Sequence, residues 1–516
     1  MPEPWTSALP PLLAIGLAAA TRQVIPSLLV GLWVGAALAS PGLIASASRL
    51  VDLVGGVLAD RGNLDVLLFL YLFGGLVVLL ERAGGVEGFV RALSGRVRTS
   101  RGALSVAWAV LPLTFIDCGF RVVTTGALVT PLARRVGVSP ERVAYTLNNT
   151  ASPLIALIPA ATTFLTYMLA VLGAGMTAAQ IDGSRFALFL RTIPFNFFSW
   201  TSLAVALASL FARRQWGLME ESEAQARGDE PAGEKEAGRQ RLLASPSLTG
   251  LQAETAKPLT PETPRARAAT ARQQTGTAEG HPMQKDEPVL EPRIVNLLAP
   301  VLLLISLSFG LLWWDGRAPG RTFVQAVAAA DASRMMLVAL LLTLVLAGLS
   351  FAAQGFPLRS ATEALLQGGN RMMTTIVILA LAWPIATVAQ ELGLPELIRT
   401  AVGARLGAPL VPLLVFAVTG ALTYAVGSSW GAWALMMPLA LPLATSAGAS
   451  VALTAAAVFS GGTFGDVTSP LSGMTAMAAG AAQADHMSYV RAMTPYNLVA
   501  AGAAALFFAV AGLARL

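Results

Sequence analysis

Apolar runs of 17 residues or more recur along this chain, each long enough to cross a hydrocarbon core about 30 Å thick. Against such a background a charged or helix-breaking residue is a marked event. Irregular backbone survives at membrane depth only where it is buried in protein or lines a cavity. The composition agrees: 55% of residues are hydrophobic and 12% charged, about half the charged share of an ordinary soluble domain. The chain reads as an all-α, polytopic integral membrane protein.

Several function classes drop out at once. One cysteine, Cys118, and two histidines in 516 residues exclude an intrachain disulfide framework and a Cys-based metal site. His281 falls in a polar stretch, which leaves only His486 near a span, so no zinc centre is expected. No nucleophile–base pair emerges either, and the chain is not expected to be an enzyme. The formal charge of +6 is a topology signal, because Lys and Arg collect in cytoplasmic loops. No aromatic-interleaved basic surface accompanies it, so no nucleic-acid partner is expected. The first run, Ala8–Ala20, has the length of a signal-peptide core. No basic flank precedes it, however, and a second span follows immediately.

Spans are placed near 8–22, 24–45, 64–80, 186–212, 293–314, 335–352, 371–390 and 494–515. Two irregular blocks, 103–175 and 408–482, lie between them. The whole amounts to about 10–12 spans, including broken helices or re-entrant hairpins. Residues 213–292 differ in kind: eight prolines, few large apolar residues, and 11 Lys/Arg against 13 Asp/Glu. Such a segment buries too little surface to offset its ordering entropy. It is read as a disordered linker, with a regulatory tail as the alternative to a plain tether. The domains are therefore 1–212, a first membrane repeat with N-terminal spans; 213–292, a cytoplasmic linker; and 293–516, a second membrane repeat.

Loop 82–101 carries Arg82, Arg91, Arg96, Arg98 and Arg101, and Arg134, Arg135 and Arg142 follow the next block. Both should be cytoplasmic. Segment 103–133 then leaves and returns on one side, with Asp117 near its turning point. Alternating the remaining spans puts loop 391–407 outside. The halves also echo one another. Leu-Thr-Phe115 and Leu-Thr-Tyr424 lie 309 residues apart, as do Arg96 and Arg405, and Ser152-Pro-Leu154 matches Ser469-Pro-Leu471 at 317. Two repeats in opposite orientation place solute and ions near the midplane, between paired broken helices.

Four constellations carry polar oxygens into these breaks. They are Thr114-Phe-Ile-Asp117 with Arg121; Asn148-Asn149-Thr150 before Ser152-Pro153; Gly427-Ser428-Ser429-Trp-Gly431; and the stretch Gly461–Thr475 with Asp466, Thr468, Ser469 and Ser472. In the last, Pro470 removes a backbone donor and the glycines lower helix propensity, so the helix is expected to break there. Hydroxyls, amide oxygens, freed carbonyls and a carboxylate suit a hard cation such as Na+. Half-helix N-termini would instead favour an anionic group. Asp466 and Asp117 are the carboxylates within the breaks and the candidate ligands of a transported Na+. A carboxylate short of water can hold a proton or a cation in turn. A surface capping role is the plainer reading of Asp466. An ion pair with Arg121, four residues on, is the plainer reading of Asp117.

These residues resemble the NhaC-type sodium/proton antiporter family of the ion-transporter superfamily. The resemblance runs through Leu9-Pro-Pro-Leu-Leu-Ala-Ile15, Thr21-Arg-Gln-Val-Ile-Pro-Ser-Leu28, Phe115-Ile-Asp117, Ser139-Pro-Glu-Arg-Val-Ala-Tyr145, Gly427-Ser-Ser-Trp-Gly431, Phe464-Gly-Asp466, Ser469-Pro470 and Ala484-Asp-His486. It implies a bacterial inner-membrane exchanger of Na+ for H+, with relatives that couple such gradients to malate, lactate or other small solutes. Three acidic positions usual in the family are neutral here, at Cys118, at Asn148-Asn149 and at Ser472-Gly473. That departure, with Arg121 in the site, keeps open a Na+- or H+-coupled transporter of a small organic anion or amino acid. No resident cofactor is implied beyond the transported Na+ and H+. The expected partners are membrane lipid and a small cation or organic solute, with a homodimer as a further option.

Overall fold

The computed structural model of the chain describes residues 4–93, 99–115, 117–212, 214–227, 290–394, 396–397 and 407–515. Arg96, Arg98, Ile116, His281, Arg399, Arg405 and residues 228–289 of the predicted linker lie outside them. Among the described residues every regular element is helical. Seven helices are long and apolar enough to cross a membrane, and two bent pairs raise that to nine.

The first half opens with α1 (Leu9–Thr21), α2 (Val24–Ala39), α3 (Leu43–Ala59), α4 (Arg61–Arg82) and α5 (Gly85–Leu93). The run read as one span over 24–45 is corrected here. Its helix stops at Ala39, and α3 departs at 116°. Pro41 disfavours helical backbone at Ser40, and Gly42 takes φ +114°, where a side chain would be strained. Next come α6 (Ser100–Ala109), α7 (Leu111–Thr114), α8 (Cys118–Arg135), α9 (Pro140–Asn149), α10 (Ser152–Ile155), α11 (Thr163–Ala178), α12 (Arg185–Thr192) and α13 (Phe197–Phe211).

The stretch predicted to be disordered from 213 onward begins packed, with α14 (Leu218–Arg227). Met219 is buried, Trp216 stacks on Tyr496 at 5.2 Å, and Glu223 is 1% exposed. Composition averaged over the whole segment hides this one short helix.

The second half holds α15 (Val295–Gly316), α16 (Phe323–Ala329), α17 (Ala332–Ala353), α18 (Leu358–Glu391), α19 (Val411–Val426), α20 (Ser429–Ala447), α21 (Val451–Thr468), α22 (Gly473–Ala482) and α23 (His486–Leu513). The last helix starts eight residues before the predicted span, with Asp485 capping it through Ser488 N at 2.8 Å. Helices α4 and α18 meet at Gly74 and Gly368, where neither position has room for a Cβ. Arg82 bonds Gln367 at 2.8 Å near the start of α18, and Glu391 at its end pairs with Arg49 at 2.6 Å. A rise of 1.5 Å per residue puts these ends roughly 40 Å apart. Arg82 and Glu391 thus mark opposite faces of the bundle.

Two hairpins, α6–α8 and α19–α20, bracket the centre of the bundle. The outer ends of α6 and α8 meet where Ser100 Oγ donates to Val136 O at 3.0 Å. At the other face, Gln390 bonds Thr177 near the end of α11 at 3.0 Å. Gly175 there lies against Met437 and Leu441 of α20. The tips of both hairpins turn inward, and the first turns of α11 join them. Thr163 bonds Asp117 at 2.8 Å, Tyr167 bonds Trp430 O at 2.5 Å, and Phe164 meets the Trp430 ring at 5.2 Å.

Candidate ion-binding site

Asp466 ends up on the last turn of α21. The predicted break is much shorter than Gly461–Thr475, because the helix persists through Thr468 and opens only over 469–472. The glycines act in packing. Gly461 and Gly465 form a G-x-x-x-G face on which α19 lies: a Cβ at Gly461 would come 2.6 Å from Phe416 O and 2.8 Å from Thr419 Cβ. Small residues that allow such close approach are a recurrent device in membrane helices.

The Asp466 carboxylate is 4% exposed. Ser152 donates to its Oδ2 at 3.0 Å and Ser472 to its Oδ1 at 3.0 Å. Ser429 adjoins the same carboxylate but makes no aligned hydrogen bond. Thr475 donates to the Asp466 carbonyl at 3.2 Å. Among the described residues no Lys, Arg or His pairs with Asp466. The plainer reading, an aspartate at a surface turn, is therefore excluded by burial. A carboxylate so enclosed needs a proton or a metal cation to offset its charge.

Asn148 and Asn149, at the end of α9, reach the same helix end from the first half. Asn148 Nδ2 donates to Val467 O at 3.2 Å and to Tyr489 at 2.9 Å. Asn149 Nδ2 donates to Ser202 at 3.0 Å and to Asn497 Oδ1 at 2.6 Å. Asn497 in turn donates to Val467 O at 2.9 Å. The amide oxygens of Asn148 and Asn149 and the hydroxyls of Thr468 and Ser429 are buried without a partner. Buried oxygens are ordinarily satisfied, so these unpartnered oxygens are candidate hard ligands near the end of α21.

Asp117 is 7% exposed and caps α8, taking Phe120 N at 2.9 Å and the Thr163 hydroxyl at 2.8 Å. The expected Asp117–Arg121 pair is absent and that expectation is corrected. Asp117 has extended backbone at φ −152°, ψ 144°, which takes it off the helical face that Arg121 occupies. Arg121 is 0% exposed and donates to Thr150 O, Thr114 Oγ1, Ala107 O and Thr150 Oγ1 at 2.7–2.9 Å. It is a fastener of the first break.

Three further predicted residues also serve the backbone. Thr150 donates to Thr146 O, Ser428 caps α20 through Gly431 N at 3.4 Å, and Ser469 donates to Tyr424 O at 2.7 Å. His486 Nε2 lies 2.8 Å from Pro470 O and so braces the second break. Sequence reasoning missed Thr163, Ser202, Tyr489 and Asn497. Asn497 carried a usable signal, an amide inside the apolar run 494–515; Ser202 reads as an ordinary span residue, Thr163 falls in the irregular block 103–175, and Tyr489 precedes the predicted span.

A protein of Haemophilus influenzae described as uncharacterized is 25% identical over 98% of this chain and 90% of its own length. The arginine/ornithine antiporter ArcD of Halobacterium salinarum is 34% identical over 105 residues, which cover 20% of this chain and 21% of that protein. The YdaH transporter of Alcanivorax borkumensis shares the fold, at a TM-score of 0.56 and 16% identity over 98% of both chains. A profile of the Na+/H+ antiporter family matches residues 161–513. With that match covering more than half of its length, the chain, a multi-pass membrane transporter and not an enzyme, belongs to the Na+/H+ antiporter family.

Proposed function

We propose that this transporter exchanges Na+ for H+ by alternating access, with Asp466 as the shared ion group and Asp117 assisting. One observation carries the reading: a buried carboxylate at the seam of the two halves has only hydroxyl donors and no cationic partner among the described residues. Na+ would take its place against that carboxylate and the unpartnered amide and hydroxyl oxygens. A proton would take it when Na+ leaves. Residues 1–212 and 293–516 act as the two inverted repeats whose rocking exposes the group to each side in turn. A bacterial inner membrane is the setting that fits this reading.

The test is dequenching of a preformed proton gradient in everted vesicles, with Na+, K+ and Li+ added singly. Na+ should collapse the gradient, and Asp466→Asn should abolish the response. Full activity in that variant would overturn the assignment. The local similarity to an arginine/ornithine antiporter favours a second reading, in which an amino acid or organic anion is the cargo. In that case the solute, and not Na+ alone, collapses the gradient.

A further inference from the structure

A cleft of about 400 Å³ opens at the Glu391 face, between α3, α4, α11, α12 and α18. Its size suits a small solute. The Arg185 guanidinium lies flat on the bare backbone of Gly173, where a Cβ would come 2.7 Å from Cζ. Arg185 is half-buried, yet among the described residues it makes no hydrogen bond or ion pair. Its planar fork of donors is therefore free for a carboxylate.

Opposite charge shares the same cleft. The Cβ position of Gly62 lies 3.7 Å from Arg185 Nη1 and 3.3 Å from Asp60 Oδ1. Asp52 lines the cleft without a partner among the described residues. Arg49 and Glu391 are occupied with each other. Trp383 supplies an apolar wall, its indole fixed by donation to Ala170 O at 3.3 Å. A simple anion would face two carboxylates here, and a simple cation would face the guanidinium. A molecule carrying both charges satisfies each.

We propose that this cleft binds a zwitterionic solute of amino-acid type, its carboxylate on Arg185 and its ammonium toward Asp60 and Asp52. The cleft stands apart from the ion site: Gly173 follows Thr163 by ten residues on α11, roughly 15 Å along the helix axis. The inference deepens the reading as a solute-coupled transporter and does not depend on Asp466.

The test is calorimetric titration of the full-length chain in detergent with L-norvaline, and with pentanoate and butylamine as single-charge controls. Norvaline should bind saturably, with each control at least about tenfold weaker. Arg185→Gln should weaken norvaline by at least about tenfold, and Arg185→Lys should recover part of that loss. Two results would overturn the proposal: no norvaline binding at 10 mM or below (~10 mM being the weak limit for so small a ligand), or unaltered binding in Arg185→Gln. A failure of Na+/H+ exchange in vesicles would leave this titration untouched, so the two readings fail separately.

Discussion

Ser152, in the first half of the chain, donates a 3.0 Å hydrogen bond to the carboxylate of Asp466, 314 residues further on. The contact crosses between the halves and ends on the candidate ion ligand. Any movement of one half against the other must stretch or break it. A hydrogen bond to a charged group contributes about 1.5–3 kcal/mol. Ser152→Ala should therefore raise the apparent Na+ concentration for half-maximal dequenching by about 10- to 100-fold. Ser472→Ala, which leaves the bond between the halves in place, should shift it by less than the double variant.

Arg121 sets a different expectation. Its four bonds tie α6, α7 and the end of α9 into one knot. Lysine keeps the charge but has three donors on a flexible stem and cannot reproduce the fork. Arg121→Lys should lower thermal stability in detergent by about 2–4 kcal/mol, the cost of losing several charge-assisted bonds. Differential scanning fluorimetry against the parent chain checks this. An unchanged midpoint would mean the knot contributes little.

The sequence and the fold part company in instructive places. The breaks at Ser152-Pro153 and Ser469-Pro470 were legible because proline and clustered hydroxyls cannot sit quietly inside an apolar span. The same logic predicts a break at Gly461, Gly462 and Gly465, yet the helix runs through all three. Helix propensity is a weak local preference, and here it yields to a helix pressed against α19. The Asp117–Arg121 pair was inferred from helical spacing, but a capping residue has non-helical backbone, so i,i+4 geometry does not apply to it. Asn148 and Asn149 stand out in the sequence as amides at a predicted helix break before Ser152-Pro153. Their partners Ser202 and Tyr489 needed the third dimension, whereas Asn497 stands out in the sequence as an amide inside an apolar run.

The glycine face gives a matched pair of substitutions. Gly461→Ala places a methyl 2.6 Å from a backbone carbonyl of α19, whereas a Cβ at Gly473 meets nothing within 4 Å. Backbone cannot yield as a side-chain tip can. Overpacking of this kind costs about 1–3 kcal/mol. Gly461→Ala should lower the unfolding midpoint, while Gly473→Ala should leave it near the parent value or slightly above. Equal effects at the two positions would remove the packing argument.

The packed start of the central segment makes the last prediction. Glu223 accepts from Ser139 N at 2.9 Å, from Arg142 at 3.2 Å and from Arg227 at 3.1 Å, while Arg142 also donates to Ser209 O at 2.7 Å. Removing one member of a buried pair leaves an uncompensated charge and costs about 3–5 kcal/mol. Glu223→Ala should therefore destabilise strongly, and Arg142→Ala, which strands Glu223 with only the more exposed Arg227, somewhat less. The double variant should be more stable than the sum of the two losses, because neither charge is then stranded. Thermal unfolding of the four proteins forms the cycle. Strict additivity would show that α14 rests on its apolar contacts, Met219 and Trp216, and that the ion pair is incidental to holding it against α9.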